Sequence, residues 1–334
     1  MQATTTADVM KNDRNEDRIL LADIGGTNAR FALAQGAEIG PVEHTKAADH
    51  STAPEAITAF LSRHAAKGPV TAAVLGVAGT VENGRVSMTN SGWIIDSAEL
   101  RSAFGFKAVH VLNDFEVAAW SLPVLRYADL FALGKQQPIA AAPRLVLGPG
   151  TGFGASCLVE RDGAPPFAVI TEAGHATLSP VSEREERVID HLRQRFGHAS
   201  IERAVSGTGL ENLYEALASI DGVSPPERNA AAIAQAGLDG SCNLSRSALE
   251  MFCSFLGTVA GNLALTFCAQ GGVYIAGGIV PRFPDFLARS AFRTRFESKG
   301  RYESYLQRIP TNIVVRSDAS FMGLKAFADQ NVAP

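Results

Sequence analysis

Cysteine is scarce: Cys157, Cys242, Cys253 and Cys268 are the only four in 334 residues, far apart, with no CxxC pair and no Cys/His spacing of a zinc site. A chain this long needs no disulfide scaffold, so they read as reduced core thiols. An excess of positive charge is also missing. Lys plus Arg number 30 and Asp plus Glu 34, a formal net charge of −4, which argues against nucleic acid as a main partner. No apolar run reaches the roughly 18 residues of a membrane span, and the first residues lack the apolar block of a secretory signal. The expectation is therefore a cytoplasmic protein with no membrane partner. Charged residues are only 19% and hydrophobic ones 46%, which excludes general disorder. The absence of any GKS or GKT removes the P-loop NTPases, and the absence of a GxSxG elbow removes the hydrolases that depend on one.

What the chain does have is glycine-rich turns at strand ends. Residues 19–22 are an apolar run, Asp23-Ile24-Gly25-Gly26-Thr27-Asn28 breaks it, and Phe31, Ala32 and Leu33 resume it. This reads as strand, tight turn, strand. The pattern returns at 145–159 around Gly148-Pro149-Gly150-Thr151-Gly152, which hints at two related halves. A third turn, Gly277-Gly278, follows the apolar run 273–276. Glycine lets backbone N–H groups approach a phosphate because no Cβ intrudes, although each turn taken alone is equally a hairpin. Gly150 to Ala155 satisfies GxGxxA, with Glu172 about 20 residues on, but the segment continues as a strand and opens no helix, as a dinucleotide fingerprint must.

Between the turns, strands and helices alternate. Runs at 70–77, 109–112 and 313–315 predict strands, and Asp96 with Glu99 forms a capping box before a short helix. Ser182 with Glu185 caps a second helix that Gly197 stops. Leu210 to Leu217 marks another helix, and apolar residues at helical spacing from Leu244 to Phe267 predict a long core helix. A closing helix is expected over 319–328. The fold class is α/β, built of mixed sheets and helices.

Few polar residues stand where chemistry needs them. Asn113-Asp114 ends a strand and starts a helix, where Asp114 is either the helix N-cap or a carboxylate held near a substrate hydroxyl as general base. Glu172 and His175 share one loop, as a satisfied pair, as ligand contacts, or as two metal ligands that lack a third. Glu202 follows a helix end and by itself is an ordinary solvated charge.

Several motifs, in order, resemble the bacterial glucokinase family: LLADIGGTNARFAL (20–33), MTNSGW (88–93), LNDFEVAAW (112–120), LGPGTGFGASCLV (147–159), TEAGHATLSP (171–180), IERAVSGTGLENLY (201–214) and YIAGGIVPRF (274–283). The resemblance runs from about residue 18 to 328. It implies the two-domain actin-like ATPase (ribonuclease H-like) fold with an inter-domain cleft, and transfer of the γ-phosphoryl group of ATP to the 6-hydroxyl of glucose. It further implies that Asp114 is the catalytic base and that Asn90, Asn113, Asp114, Glu172, His175 and Glu202 hold the sugar. Asp23, Gly25, Gly26, Thr27 and Asn28 become the first phosphate loop, and Gly148, Gly150, Thr151, Gly152 and Gly154 the second. Gly277 and Gly278 would lie by the adenosine, and Asp23 would orient Mg²⁺ through water.

The departures from the family pattern are Thr80 and Thr208, where many relatives have proline, and Phe153, where leucine is common. None removes a chemical group. The expected division is a polar tail over 1–17, a small α/β domain of 18–124 plus 312–334, and a large one of 125–311. D-glucose and ATP are the implied partners, and a homodimer is the family's common habit. Two alternatives stay open: a kinase for another hexose or an amino sugar, and a non-catalytic glucose sensor. The sensor's DNA-binding helix pair does not fit in residues 1–17, and the clustered-cysteine zinc motif of related kinases is missing.

Overall fold

A computed structural model describes residues 17–65, 68–88, 91–161 and 163–332. The chain separates into two compact units, one running to Val111 and the other spanning Leu112–Gln330. The first contains β1 (Arg18–Ile24), β2 (Asn28–Gln35), β3 (Glu38–Ile39), β4 (Glu43–Lys46), α1 (Ala53–Arg63), β5 (Val70–Val77), β6 (Arg85–Ser87), β7 (Ile94–Asp96), α2 (Ser97–Phe104) and β8 (Ala108–Asn113), whose last two residues enter the second unit. Its main sheet has the order β3-β2-β1-β5-β8, with β4 on β2, and β6 and β7 form a separate pair. Strand β1 is antiparallel to β2 and parallel to β5. Its near-continuous apolar run is what a strand covered on both faces requires. Leu20, Ile24, Phe31, Ile57 and Phe60 meet in one core. Helix α1 starts where the Thr52 hydroxyl accepts the Glu55 N–H at 3.3 Å, with Pro54 in the first turn.

The second unit contains α3 (Asp114–Ser121), β9 (Leu130–Ala132), β10 (Arg144–Pro149), β11 (Phe153–Arg161), β12 (Ala164–Thr171), α4 (Glu183–Phe196), α5 (Gly207–Asp221), α6 (Ala230–Leu238), α7 (Asn243–Thr266), β13 (Val273–Ile275), α8 (Pro284–Arg289), α9 (Phe292–Glu297), α10 (Glu303–Gln307), β14 (Thr311–Val314) and α11 (Ala319–Asn331). Its sheet runs β12-β11-β10-β13-β14-β9, with β10 antiparallel to β11 and parallel to β13. Helix α7 is long and apolar enough to cross a membrane by length and composition, but it is mostly buried inside this unit. It is a core helix, as its apolar periodicity predicts.

The division differs from the one expected at residues 124 and 312. Strand β14 pairs with β13 and β9 in the second sheet. Helix α11 lies directly on α3, since a Cβ at Gly323 would come within 2.0 Å of the Val117 carbonyl oxygen, and Phe327 meets Trp120 edge-on at 5.3 Å. Proline 123 therefore marks a helix end inside the second unit. Of the expected tail, Asp17 is described and pairs with Lys107 at 2.8 Å, and residues 1–16 lie outside the described residues. The cysteines also divide. Cys157 and Cys253 are buried core thiols, pushed up by burial to about 11 and about 12, whereas Cys268 is exposed and Cys242 half-buried.

Candidate functional site

The first glycine turn joins β1 to β2. Asp23 stands opposite Arg30 in the antiparallel register, and the two form an ion pair. The Gly25 N–H donates to the Asn28 carbonyl at 2.9 Å, and the Thr27 carbonyl accepts from the Ala47 N–H at 2.9 Å. The turn is thus closed without a positive φ at Gly25 or Gly26, and a Cβ at Gly25 would make only an ordinary contact, 3.5 Å from the Asn28 oxygen. The protein itself does not require glycine at position 25.

The second turn joins β10 to β11 and is crowded. A Cβ at Gly148 would lie 2.3 Å from the Ala276 carbonyl oxygen, and one at Gly277 2.4 Å from that of Pro149, so the second and third turns touch backbone to backbone. Gly277 also has a φ of 84°, which an L side chain rarely adopts. At Gly150 a Cβ would meet nothing within 4 Å. Its N–H donates to the Gly152 carbonyl at 2.8 Å, and its own carbonyl accepts the N–H of Gly207, the first residue of α5, at 2.9 Å.

The sequence-predicted residues of the second unit converge on this turn. The Glu202 Oε2 accepts the Phe153 N–H at 2.9 Å, and a Cβ at Gly152 would stand 2.4 Å from that oxygen. The Glu202 N–H donates to the Gly174 carbonyl at 2.9 Å, and Gly174 packs so closely on Phe153 that a Cβ would come within 2.4 Å of its carbonyl oxygen. Gly174 belongs to the short turn that carries Glu172 and His175. Those two side chains are exposed, with their nearest polar atoms 4.0 Å apart. The expectation that Glu202 is an ordinary solvated charge is corrected, because its carboxylate is spent in part on the backbone of the turn.

Asn113 and Asp114 reach the same turn through Phe115, whose ring lies so close that a Cβ on Gly154 would come within 1.9 Å of it. The N-cap of α3 is Asn113: its Oδ1 accepts the Phe115 N–H at 2.9 Å and the Glu116 N–H at 3.3 Å. The reading of Asp114 as N-cap is therefore corrected. Asp114 is the first helical residue, with one oxygen accepting the Phe115 N–H at 2.9 Å, where the helix dipole favours an anion. Two residues on, burial pushes the Glu116 carboxyl up to about 6, against a hydrogen bond from the Asn113 backbone that favours the charged form. Asn90 lies outside the described residues.

Helix α6, which the apolar spacing did not predict, supplies one wall of a cavity of about 530 Å³. Gly150, Thr151 and Gly278 line it together with Ala230, Ala231 and Ala234 of α6. The signal for this helix is Asn229 before an alanine run, where the Asn229 side chain accepts the Ala232 N–H at 2.9 Å. Alanine carries little periodic contrast, which is why pattern reasoning passes over it.

The glucokinase family model matches residues 20–331. The chain belongs to the glucokinase family. It is 44% identical over 308 residues to a glucokinase of Paramagnetospirillum magneticum, covering 92% of this chain and 96% of that one. Among solved structures it is similar to a glucokinase from an Antarctic psychrotroph, with a TM-score of 0.86, 35% identity and coverage of 95% of this chain and 99% of that one. A glucokinase from Balamuthia mandrillaris in complex with glucose shares the fold at a TM-score of 0.75 and 21% identity, with 95% of each chain covered. The resemblance seen in the motifs is borne out, and with it the actin-like ATPase fold and the class of ATP-dependent hexose kinase.

Proposed function

We propose that this glucokinase-family enzyme transfers the γ-phosphoryl group of ATP to the 6-hydroxyl of D-glucose, with Asp114 as general base. The observation that carries the reading is the convergence, within one unit, of Asn113-Asp114, the Glu172–His175 turn and Glu202 on the single glycine turn Gly148–Gly154. Acid, amide and imidazole groups held on one backbone network suit a hexose, whose vicinal hydroxyls each donate and accept. Glu202 keeps Oε1 for a sugar hydroxyl while Oε2 serves the turn, and Asn113, whose Oδ1 caps the helix, joins the same set on this reading. Glu172, His175 and Asn90 complete the sugar set on this reading.

Phosphoryl transfer needs little covalent work from the protein, which positions the hydroxyl in line with the γ-phosphorus and neutralises charge. Asp114 accepts the hydroxyl proton as the sugar oxygen bonds to phosphorus and the bond to ADP breaks. A positioned base contributes about 10²- to 10⁴-fold. The backbone N–H groups around Gly25, Gly26, Thr27 and Asn28, and around Gly148, Gly150, Thr151, Gly152 and Gly154, hold phosphate oxygens, with Gly277 and Gly278 beside the adenosine. Mg²⁺ would be held mainly by water and substrate phosphates with one or two carboxylates. Asp23, already paired with Arg30, suits an indirect, water-mediated contact. When bound, the ion supplies charge neutralisation on the phosphates. On this reading the enzyme works in the cytoplasm on glucose and ATP.

The test is ADP release from Mg-ATP with glucose, fructose, mannose, galactose and N-acetylglucosamine, each beside an Asp114→Ala control. Turnover on glucose that the variant loses is the expected result. Preference for another sugar transfers the reading to that sugar, and glucose binding without turnover replaces it with a sensor.

A further inference from the structure

The cavity walled by α6 is lined by Gly278 and Thr151, and the inference drawn from it rests on the reading above that puts the adenosine beside Gly278 and the phosphates at the turn of Thr151. At about 530 Å³ it falls within the range of small-ligand sites, roughly 300 to 1,000 Å³. Its walls are Leu210, Ala230, Ala231, Ala234, Leu238 and Ile279, side chains with no hydrogen-bonding group. The polar side chains of the lining are Thr151, Gln235 and Arg282. Thr151 belongs to the phosphate turn. Arg282 carries only donors and suits phosphate oxygens.

Gln235 remains as the side chain that can read a base edge. It is exposed, and its Nε2 has only a long contact, 3.5 Å, to Asp239 Oδ2, beyond the usual range for such a bond. An amide so weakly tethered turns either way, offering its oxygen to a 6-amino group or its NH₂ to a 6-oxo group. The lining thus has surface for a purine and no fixed donor or acceptor side chain to tell one purine from another.

We infer that the enzyme holds the purine by apolar contact without reading its 6-position, and so uses inosine and guanosine triphosphates as phosphoryl donors besides ATP. The magnitude follows from how sites discriminate. An apolar pocket rejects a near-isostere by only about 10²-fold, whereas a site built to hydrogen-bond a group rejects its absence by about 10⁴- to 10⁵-fold. Pyrimidine triphosphates present less surface to the α6 wall and are the poorer donors.

The experiment measures kcat/KM for ATP, ITP and GTP on the full chain at saturating glucose with excess Mg²⁺. The expected result is ITP and GTP within about 100-fold of ATP, and a larger preference for ATP overturns the inference. Gln235→Leu is expected to leave the ATP to ITP ratio within about threefold, because an amide that does not fix the base edge adds little to discrimination. Collapse of ATP to the level of ITP in that variant would assign the reading of the base to Gln235, against the inference. Ala231→Phe, at an exposed position of the same wall, is expected to raise KM for all three nucleotides together while KM for glucose stays. Unchanged nucleotide KM values there would remove the nucleotide from this cavity and overturn the parent reading with the inference. Strong ATP preference together with a raised KM in Ala231→Phe overturns the inference alone.

Discussion

The two units repeat one strand order. The first runs β3-β2-β1-β5-β8 and the second β12-β11-β10-β13-β14, each with an antiparallel pair followed by a parallel neighbour. Each has a glycine turn at the same place, between the strands of that antiparallel pair. The turns nevertheless use glycine for different reasons. At Gly25 a side chain has room, whereas at Gly148, Gly152 and Gly154 it would strike Ala276, Glu202 and Phe115. One motif thus leaves room for a side chain at Gly25, and the other is a packing hub on which candidate catalytic and sugar-binding residues are assembled. Repetition of a sequence pattern establishes a shared topology and leaves open which glycines the protein needs for itself.

The comparison breaks most visibly if chemistry and packing around the second turn cannot be separated. Asp114→Ala is expected to lower kcat by about 10²- to 10⁴-fold while glucose binding survives. Its cost in stability is expected to be under about 1 kcal/mol, the worth of one anion at a helix N-terminus, because Asn113 keeps the cap. Steady-state kinetics beside calorimetric glucose titration and thermal melting read all three, and near-wild-type kcat would remove Asp114 as base.

Gly154→Ala comes next. Its Cβ would meet the Phe115 ring at 1.9 Å, so Phe115 and α3 must shift, at a cost of about 1–3 kcal/mol for overpacking. Urea unfolding measures it, and a variant as stable as wild type would show that the turn is less crowded than its contacts indicate.

Glu116 gives a smaller effect with a definite sign. Its carboxyl is raised from 4.5 to about 6, so the folded state favours the protonated form. The stability this contributes is full below about pH 4.5 and is lost as pH rises through about 6. Glu116→Gln keeps an acceptor for the Asn113 backbone and removes the titration. It should be more stable than wild type at pH 8, by about 2 kcal/mol at most, with the difference closing as pH falls towards 4.5. A gap that does not change with pH would dismiss burial as the cause.

The smallest change in stability is expected in the first unit. Gly25→Ala has space for its Cβ and restricts the unfolded chain, so stability should move by less than about 1 kcal/mol. On the proposed reading KM for ATP should nevertheless rise, because the added Cβ would stand between the turn and a phosphate. A large fall in stability would erase the contrast between the turns, and unchanged kinetics would remove the first turn from the nucleotide site.

Much of the fold was legible in the chain. Strands β1, β2, β10 and β11 follow from apolar runs broken by glycine, and α4 and α7 from caps and apolar spacing, because these signals are local. The cap of α3 is Asn113, one residue before Asp114; Asn and Asp are both good caps, and only the hydrogen bonds distinguish them. Helix α6 is not legible in the chain because alanine gives a weak periodic signal. The extent of the second unit, Leu112–Gln330, is not legible in the chain because α3, β14 and α11 join it through contacts distant in sequence.

By itself, then, the sequence determined the alternation of strands and helices, the positions of three glycine turns, and, through its ordered motifs, the family. Tertiary structure alone decided that Glu202 ties down Phe153, that Phe115 seats α3 on Gly154, and that an alanine helix walls the cavity beside Thr151. The physical reason is range. Propensity, capping and periodicity act over a few residues, whereas steric exclusion at a glycine depends on whichever distant atom the fold brings within a Cβ's reach.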